Sequence, residues 1–181
     1  SEIEFASRFT DAFIIAVTGS NGKTTTATLI YHILKNAGLN VGLAGNIGVS
    51  FASSVCDYSY DYYVLEVSSF QLDHSITFKP NISVITNISP DHLDRYDEDF
   101  DLYALSKYSI VKNQKPNDFF VYNNDCNVTK KIFSRVQIKS KSISFSTKQN
   151  SGFKHSIYTN NNNIISSINK EKFMLSTDKI Q

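Results

Sequence analysis

The segment Val17-Thr18-Gly19-Ser20-Asn21-Gly22-Lys23-Thr24-Thr25 constrains this chain more than any other. It is preceded by Phe13-Ile14-Ile15-Ala16-Val17, a continuous apolar run of the kind found in a strand buried on both faces. After it, Lys23 to Ala37 reads as a helix. Leu29, Ile30, Ile33, Leu34 and Ala37 recur at helical spacing, and Gly38 is the stop. A glycine turn between a buried strand and an amphipathic helix is the setting of a phosphate-binding loop. Glycines let backbone N–H groups turn inward around phosphate oxygens, and the helix N-terminus adds its dipole. Gly19, Ser20, Asn21, Gly22, Lys23, Thr24 and Thr25 are therefore the candidate nucleotide contacts. Lys23 supplies charge to the β/γ-phosphates, and the Thr24 hydroxyl is a ligand for Mg²⁺. Val17 stands where the general pattern G-x-x-x-x-G-K-[ST] has its first glycine. The plainer alternative is a glycine turn before an ordinary helix.

Downstream, buried-strand signals recur at Leu39–Leu43, Tyr62–Leu65, Ile82–Thr86 and Asp118–Tyr122. Helical signals lie between them. One follows Gly45-Asn46-Ile47-Gly48 and runs to about Val55, and another spans Phe100–Lys112. Phe70–Ile76 reads as helical or irregular, and residues 1–12 as a short polar-amphipathic lead-in. Strands alternating with helices predict an α/β fold, a mostly parallel P-loop-type sheet flanked by helices. From about residue 138 to 178 the pattern changes to short alternating runs, Ile138–Ser146, His155–Thr159, Ile164–Ile168 and Lys172–Leu175. These predict a small antiparallel β meander at the C-terminal end, with Asn160 to Asn163 as a hairpin loop.

A chain of 181 residues suffices for one domain with a sizeable core. A net charge of +1 gives no nucleic-acid or membrane surface, so neither partner is expected. Cys56 and Cys126, the only two cysteines, are expected as free thiols in a reducing cytosol. No apolar run has the length of a membrane span. The chain opens at Ser1 without a methionine, and processing or trimming is expected there.

In a parallel sheet, residues just past the carboxyl ends of the strands meet in one crevice, here beside the phosphate loop. Glu66 follows the apolar run Tyr62–Leu65, and Ile85-Thr86-Asn87-Ile88-Ser89-Pro90-Asp91-His92-Leu93-Asp94 follows another. Glu66 offers a hard oxygen ligand for Mg²⁺, and His92 a second ligand or a substrate contact. A solvated or helix-capping role is the alternative for Glu66, and an N-cap is the default for Asp91. In the helix from Phe100, at about 100° per residue, Phe100, Tyr103, Ala104, Ile110 and Val111 form one stripe, with Lys107 in its middle. Such a lysine either snorkels to water or is a desolvated amine of lowered pKa. A neutral amine reacts with CO₂ to form a carbamate, which turns a cation into an oxygen ligand.

Together the G-[ST]-N-G-K-[ST]-[ST] loop, the E-x-S-S stretch, the N-x-x-x-D-H segment and the lysine in the next helix resemble the Mur ligases. The likeness runs in order from about Ser1 to Asp125. Gly45-Asn46-Ile47-Gly48, Glu66-Val67-Ser68-Ser69-Phe70-Gln71-Leu72 and Asp91-His92-Leu93-Asp94-Arg95-Tyr96 resemble its D-glutamate-adding branch. The resemblance implies a cytoplasmic, monomeric, ATP- and Mg²⁺-dependent ligase of peptidoglycan synthesis. Its implied substrates are UDP-N-acetylmuramoyl-L-alanine and D-glutamate, joined through an acyl phosphate. Lys23, His92 and Lys107 are the implied catalytic residues. Thr24 and Glu66 would hold one Mg²⁺, with His92 and the Lys107 carbamate holding a second. Asn46, Ser68, Gln71 and His92 match positions on the muramoyl-substrate side.

Residues 1–181 are accordingly expected to be a Mur ligase central, ATP-binding domain and a fragment, inactive alone. The family's N-terminal uridine-nucleotide domain, its C-terminal domain and its adenine-holding H-N-x-x-N segment have no match in this sequence. Asn123-Asn124-Asp125 reads as a structural turn.

Overall fold

A computed structural model describes residues 1–91, 93–148, 155–160, 163–168 and 171–177. Among the described residues nine strands form one sheet in the order β2-β3-β1-β4-β5-β6-β7-β8-β9. The buried run after the lead-in is β1 (Phe13–Thr18), which pairs in parallel with β3 (Tyr62–Glu66) and β4 (Ile82–Ile85). β2 (Val41–Gly45) lies outside β3, and β5 (Phe119–Asn123) outside β4, again in parallel. The chain thus leaves β1 in one direction for β2 and β3, then crosses to the other side for β4 and β5. The reversal opens a crevice at the carboxyl end of β1, where such sheets hold ligands.

The helices divide unequally between the two faces. α2 (Lys23–Asn36) covers one face, where Ala27, Ile30 and Leu34 meet Ile15, Val17, Val64 and Val84. On the other lie α1 (Glu2–Ala6), α3 (Phe51–Asp57), α4 (Ser69–Asp73), α5 (Phe100–Tyr108) and α6 (Asn127–Phe133). They bury Ile3, Phe51, Leu72, Tyr103, Tyr108 and Ile132 against Ile14, Tyr63, Leu65 and Phe120. The broad apolar stripe expected of α2 is narrower in the structure. Leu29 and Ile33 are each 59% exposed, because the sheet-facing stripe is Ala27, Ile30 and Leu34, spaced three and four apart, with Tyr31 beside it.

The C-terminal strands differ from expectation in one respect. β6 (Lys141–Ser146) pairs in parallel with β5, and β7 (Ser156–Asn160) in parallel with β6. Only β8 (Asn163–Ile168) and β9 (Glu171–Ser176) run antiparallel, with Asn160 opposite Asn163 at the predicted hairpin. The meander is therefore an extension of the main sheet. α6, which connects β5 to β6, was missed because its seven residues carry only Val128, Ile132 and Phe133 as apolar markers.

The lead-in is also more structured than its composition suggests. Ser1 caps α1, and Glu4, 7% exposed, accepts hydrogen bonds from Ile76 N, Thr77 N and Phe78 N. Thr77 Oγ1 and Arg8 bind the same carboxylate. Burial pushes that carboxyl up, but the bonds from Thr77, Arg8 and Phe78 outweigh it and hold its pKa at about 2. Cys56 and Cys126 are free thiols. Among the described residues, no helix is long and apolar enough to cross a membrane.

Candidate active site

The loop between β1 and α2 is shaped by two glycines. Gly19 has φ +148°, and a Cβ there would overlap Thr86 Oγ1, so no other residue fits. The close approach that the general pattern assigns to its first glycine falls here on Gly19, which frees Val17 to be a fully buried residue of β1. Gly22 (φ +78°) is the N-cap of α2 in the left-handed region, and it brings no side chain to cap the helix. α1, α3, α4 and α5 are each capped by a side chain, Ser1, Ser50, Ser68 and Asp99. The first amides of α2 are thus left for an external acceptor, the arrangement that binds phosphate.

Ser20 and Asn21 turn the other way. Ser20 N donates to Asn87 O (3.0 Å) and Asn21 N to Asn87 Oδ1 (3.0 Å). Ser20 Oγ donates to Ser89 O (2.9 Å) and lies 2.9 Å from Tyr103 Oη, while Asn21 Nδ2 reaches Ser89 Oγ. Their amides and side chains serve the shape of the loop, so the amides facing outward belong to the start of α2, with Lys23, Thr24 and Thr25.

Lys23 folds back, its Nζ donating to Gly19 O (3.0 Å) and Ser20 O (2.9 Å). Beside it, Thr24 Oγ1 donates to Glu66 Oε2 at 2.7 Å, across from the end of β3. Glu66 is 3% exposed, and its other oxygen accepts from Asn46 Nδ2 at 2.8 Å. Asn46 N also donates to Glu66 O (2.8 Å), an approach that Gly45 permits because a Cβ there would overlap that carbonyl oxygen. The structure therefore brings Thr24, Glu66 and Asn46 together as one polar group at the strand ends.

Lys107 does not snorkel. It is 2% exposed, donates to Gly19 O at 3.0 Å and lies 4.5 Å above the Tyr103 ring. Burial, then the charge of Lys23, pulls its pKa down to about 8, against the opposing pull of Asp91 and Asp73. Lys23, Asn46, Ser68, Asp91, Tyr103 and Lys107 line a pocket of about 160 Å³. A wider hollow of about 410 Å³, walled by Phe9–Ala12 and Tyr58–Asp61, opens near the starting ends of β1 and β3, away from the crevice.

Ser68 and Gln71 form a reciprocal capping box at the start of α4, and Gln71 Nε2 contacts Glu2. Ser68 lines the pocket, whereas Gln71 does not. Asp91 lines the pocket, and the 3₁₀ turn beyond it begins at Leu93. His92 lies outside the described residues. Asn123 braces Thr86 O, and Asp125 binds Ser146 and Thr147, in line with the structural turn expected of them. Sequence reasoning missed the roles of Asn87, Thr86 and Tyr103. Thr86 stands just past a strand end and Asn87 opens the quoted N-x-x-x-D-H stretch, and that position was the available signal.

Among the described residues, no three His, Cys, Asp or Glu side chains cluster as a metal cage. A Mg²⁺ carried on nucleotide phosphates needs only one or two protein oxygens, and Thr24 Oγ1 with the Glu66 carboxylate fits that demand.

A strand-ended crevice, an uncapped helix start and a lysine buried behind the loop define an α/β domain with a candidate phosphate-binding site. Residues 17–180 match the Mur ligase middle domain, and the chain belongs to that family. The chain is 52% identical over 152 residues to the UDP-N-acetylmuramoylalanine–D-glutamate ligase of Bacteroides fragilis, covering 84% of this chain and 34% of that protein. It is 44% identical over 181 residues to the enzyme of the same name from Christiangramia forsetii, covering 99% of this chain and 40% of that one. A UDP-N-acetylmuramoyl-L-alanyl-D-glutamate–2,6-diaminopimelate ligase superposes with a TM-score of 0.68 at 21% identity, covering 91% of this chain and 39% of that one. Thermotoga maritima MurF ligase in complex with ADP gives 0.66 at 21% identity, covering 97% and 43%. These structural likenesses concern the fold. The chain spans about a third of the length of the curated relatives it matches.

Proposed function

We propose that this chain is the ATP-binding part of the ligase that adds D-glutamate to UDP-N-acetylmuramoyl-L-alanine. The observation that carries the reading is the start of α2. There an uncapped helix presents its amides beside Lys23, and Thr24 is bonded to the buried Glu66 at 2.7 Å. Identities of 44–52% to proteins named D-glutamate ligases support the choice of amino acid.

In this mechanism the helix amides and Lys23 bind the β/γ-phosphates, and Lys23 leaves the carbonyls of Gly19 and Ser20 to do so. Its charge offsets the charge that develops as the γ-phosphoryl group moves to the muramoyl-alanine carboxylate. The amine of D-glutamate attacks the resulting acyl phosphate, and the tetrahedral adduct collapses with loss of phosphate. Asn46, Ser68 and Gln71 belong to the muramoyl side, with Asn46 also orienting Glu66 and Gln71 acting through the start of α4. Thr24 and Glu66 would hold one Mg²⁺, and His92 with a Lys107 carbamate a second. When bound, the metal neutralises phosphate charge and orients its oxygens. The buried, weakly basic Lys107 amine suits carbamate formation.

The test is a phosphate-release assay on the full-length gene product with UDP-N-acetylmuramoyl-L-alanine. Release should depend on D-glutamate and not on L-alanine or diaminopimelate, and Lys23→Ala should lower it by at least about a thousandfold. Equal release with diaminopimelate would overturn the assignment.

A further inference from the structure

Resting on that reading, we infer that Asn87 is a positioning residue that fixes the phosphate loop before nucleotide arrives. One side chain takes both backbone polar groups of Asn21. Oδ1 accepts Asn21 N–H at 3.0 Å, and Nδ2 donates to Asn21 O at 2.9 Å. Its own carbonyl accepts Ser20 N–H at 3.0 Å, and Thr86 Oγ1 donates to Asn21 O at 2.7 Å. The end of β4 therefore pairs with the loop as a neighbouring strand would, with an amide side chain standing in for a peptide.

The chemistry of that pairing selects asparagine. The site needs an acceptor and a donor in one plane, on a stem short enough to reach Asn21 from the end of β4. Aspartate would keep the acceptor but set a carboxylate oxygen against Asn21 O with no proton between them. Serine cannot span both groups. Asn21 directly precedes Gly22, the left-handed residue from which α2 starts. Holding the Asn21 peptide fixes the direction in which the Gly22 turn is entered, and hence where the first α2 amides point. Without the clamp, nucleotide would have to order the loop as it binds, and affinity would fall by the cost of that ordering. Each end of the Asn87 amide is engaged by Asn21, so its orientation is set by the loop.

The experiment uses the full-length protein and Mg²⁺-ATP, with Lys23→Ala as the control for the phosphate site. Asn87→Ala should weaken Mg²⁺-ATP binding and raise the KM for ATP by about tenfold, consistent with losing two partly exposed hydrogen bonds. The KM for D-glutamate should stay within twofold, a split that a merely structural defect would not give. Asn87→Asp should be weaker still. In the wild-type protein without nucleotide, the Asn21 amide should exchange with solvent at least about tenfold more slowly than an open-chain amide. That measurement needs no variant, so it decides the matter even if the alanine protein does not fold. The inference is overturned if Asn87→Ala binds Mg²⁺-ATP within twofold of wild type, or if the Asn21 amide exchanges at the open-chain rate. Failure of the wild type to bind nucleotide would instead sink the proposed function, and this inference with it.

Discussion

Lys107 shows how one residue can be read twice. From the sequence it is a cation inside an apolar stripe, and in the structure it is a buried amine with one carbonyl and one ring face for company. Its folded pKa of about 8 lies below the usual 10.5, so the buried ammonium destabilises the fold at neutral pH and that penalty fades as pH rises from about 8 towards 10.5. The same titration governs its reactivity. In the proposed carbamylation the neutral nitrogen would attack the carbon of CO₂, giving the carbamate and releasing a proton. At fixed bicarbonate, ¹³C-labelled adduct on Lys107 should therefore grow as pH rises through about 8 and then level off. Carbon-13 NMR of the full-length protein checks this, and a signal that stays flat from pH 7 to 9, or survives in Lys107→Arg, would refute it. The sequence showed the position of Lys107 but not its state, because helical periodicity reports which face a residue shares and not how deep that face is buried.

At the scale of elements, α1 is the instructive case. It is five residues long, too short to persist alone, and it is held through Ile3, Ala6 and the Glu4 carboxylate. Glu4→Gln keeps the shape but removes the charge from the bonds to Ile76, Thr77 and Phe78, and should cost about 2 kcal/mol in a denaturant titration. Because the folded pKa of about 2 lies below the ordinary value of 4.5, this stabilisation is fully present above about pH 4.5 and is lost as pH falls towards 2. The difference between wild type and Glu4→Gln should accordingly shrink between pH 5 and pH 2. An unchanged gap would refute the assignment. Little of this was legible in residues 1–12, since apart from Arg8 the partners of the Glu4 carboxylate lie more than 70 positions away. By contrast β1, α2 and β3 were legible from local pattern, because burial on both faces and helical spacing are local signals. The parallel pairing of β6 with β5 was not, because an alternating run does not reveal its direction.

Across the whole molecule, burial is concentrated at one end of the sheet. β1, β3 and β4 are buried along nearly their whole length, while no described residue of β8 or β9 is fully buried. Amide exchange followed by mass spectrometry should show β8 and β9 opening well before β1 and β3, with protection differing by at least about a hundredfold. Uniform protection across the sheet would contradict this. The alternation of strands and helices made this architecture readable in advance, and the crevice followed from it. The stitching of the loop to the end of β4 did not, since it depends on side chains that meet only when the sheet is assembled.

The carbonyl oxygen of Gly19 carries a last consequence. Two ammonium groups, from Lys23 and Lys107, already share its lone pairs. An inhibitor bearing an amine would find that acceptor taken and would meet two like charges beside it. While Lys107 is uncarbamylated, compounds designed for the neighbouring pocket should instead present acceptors, such as sulfonates, phosphonates or carboxylates, to its two ammonium groups.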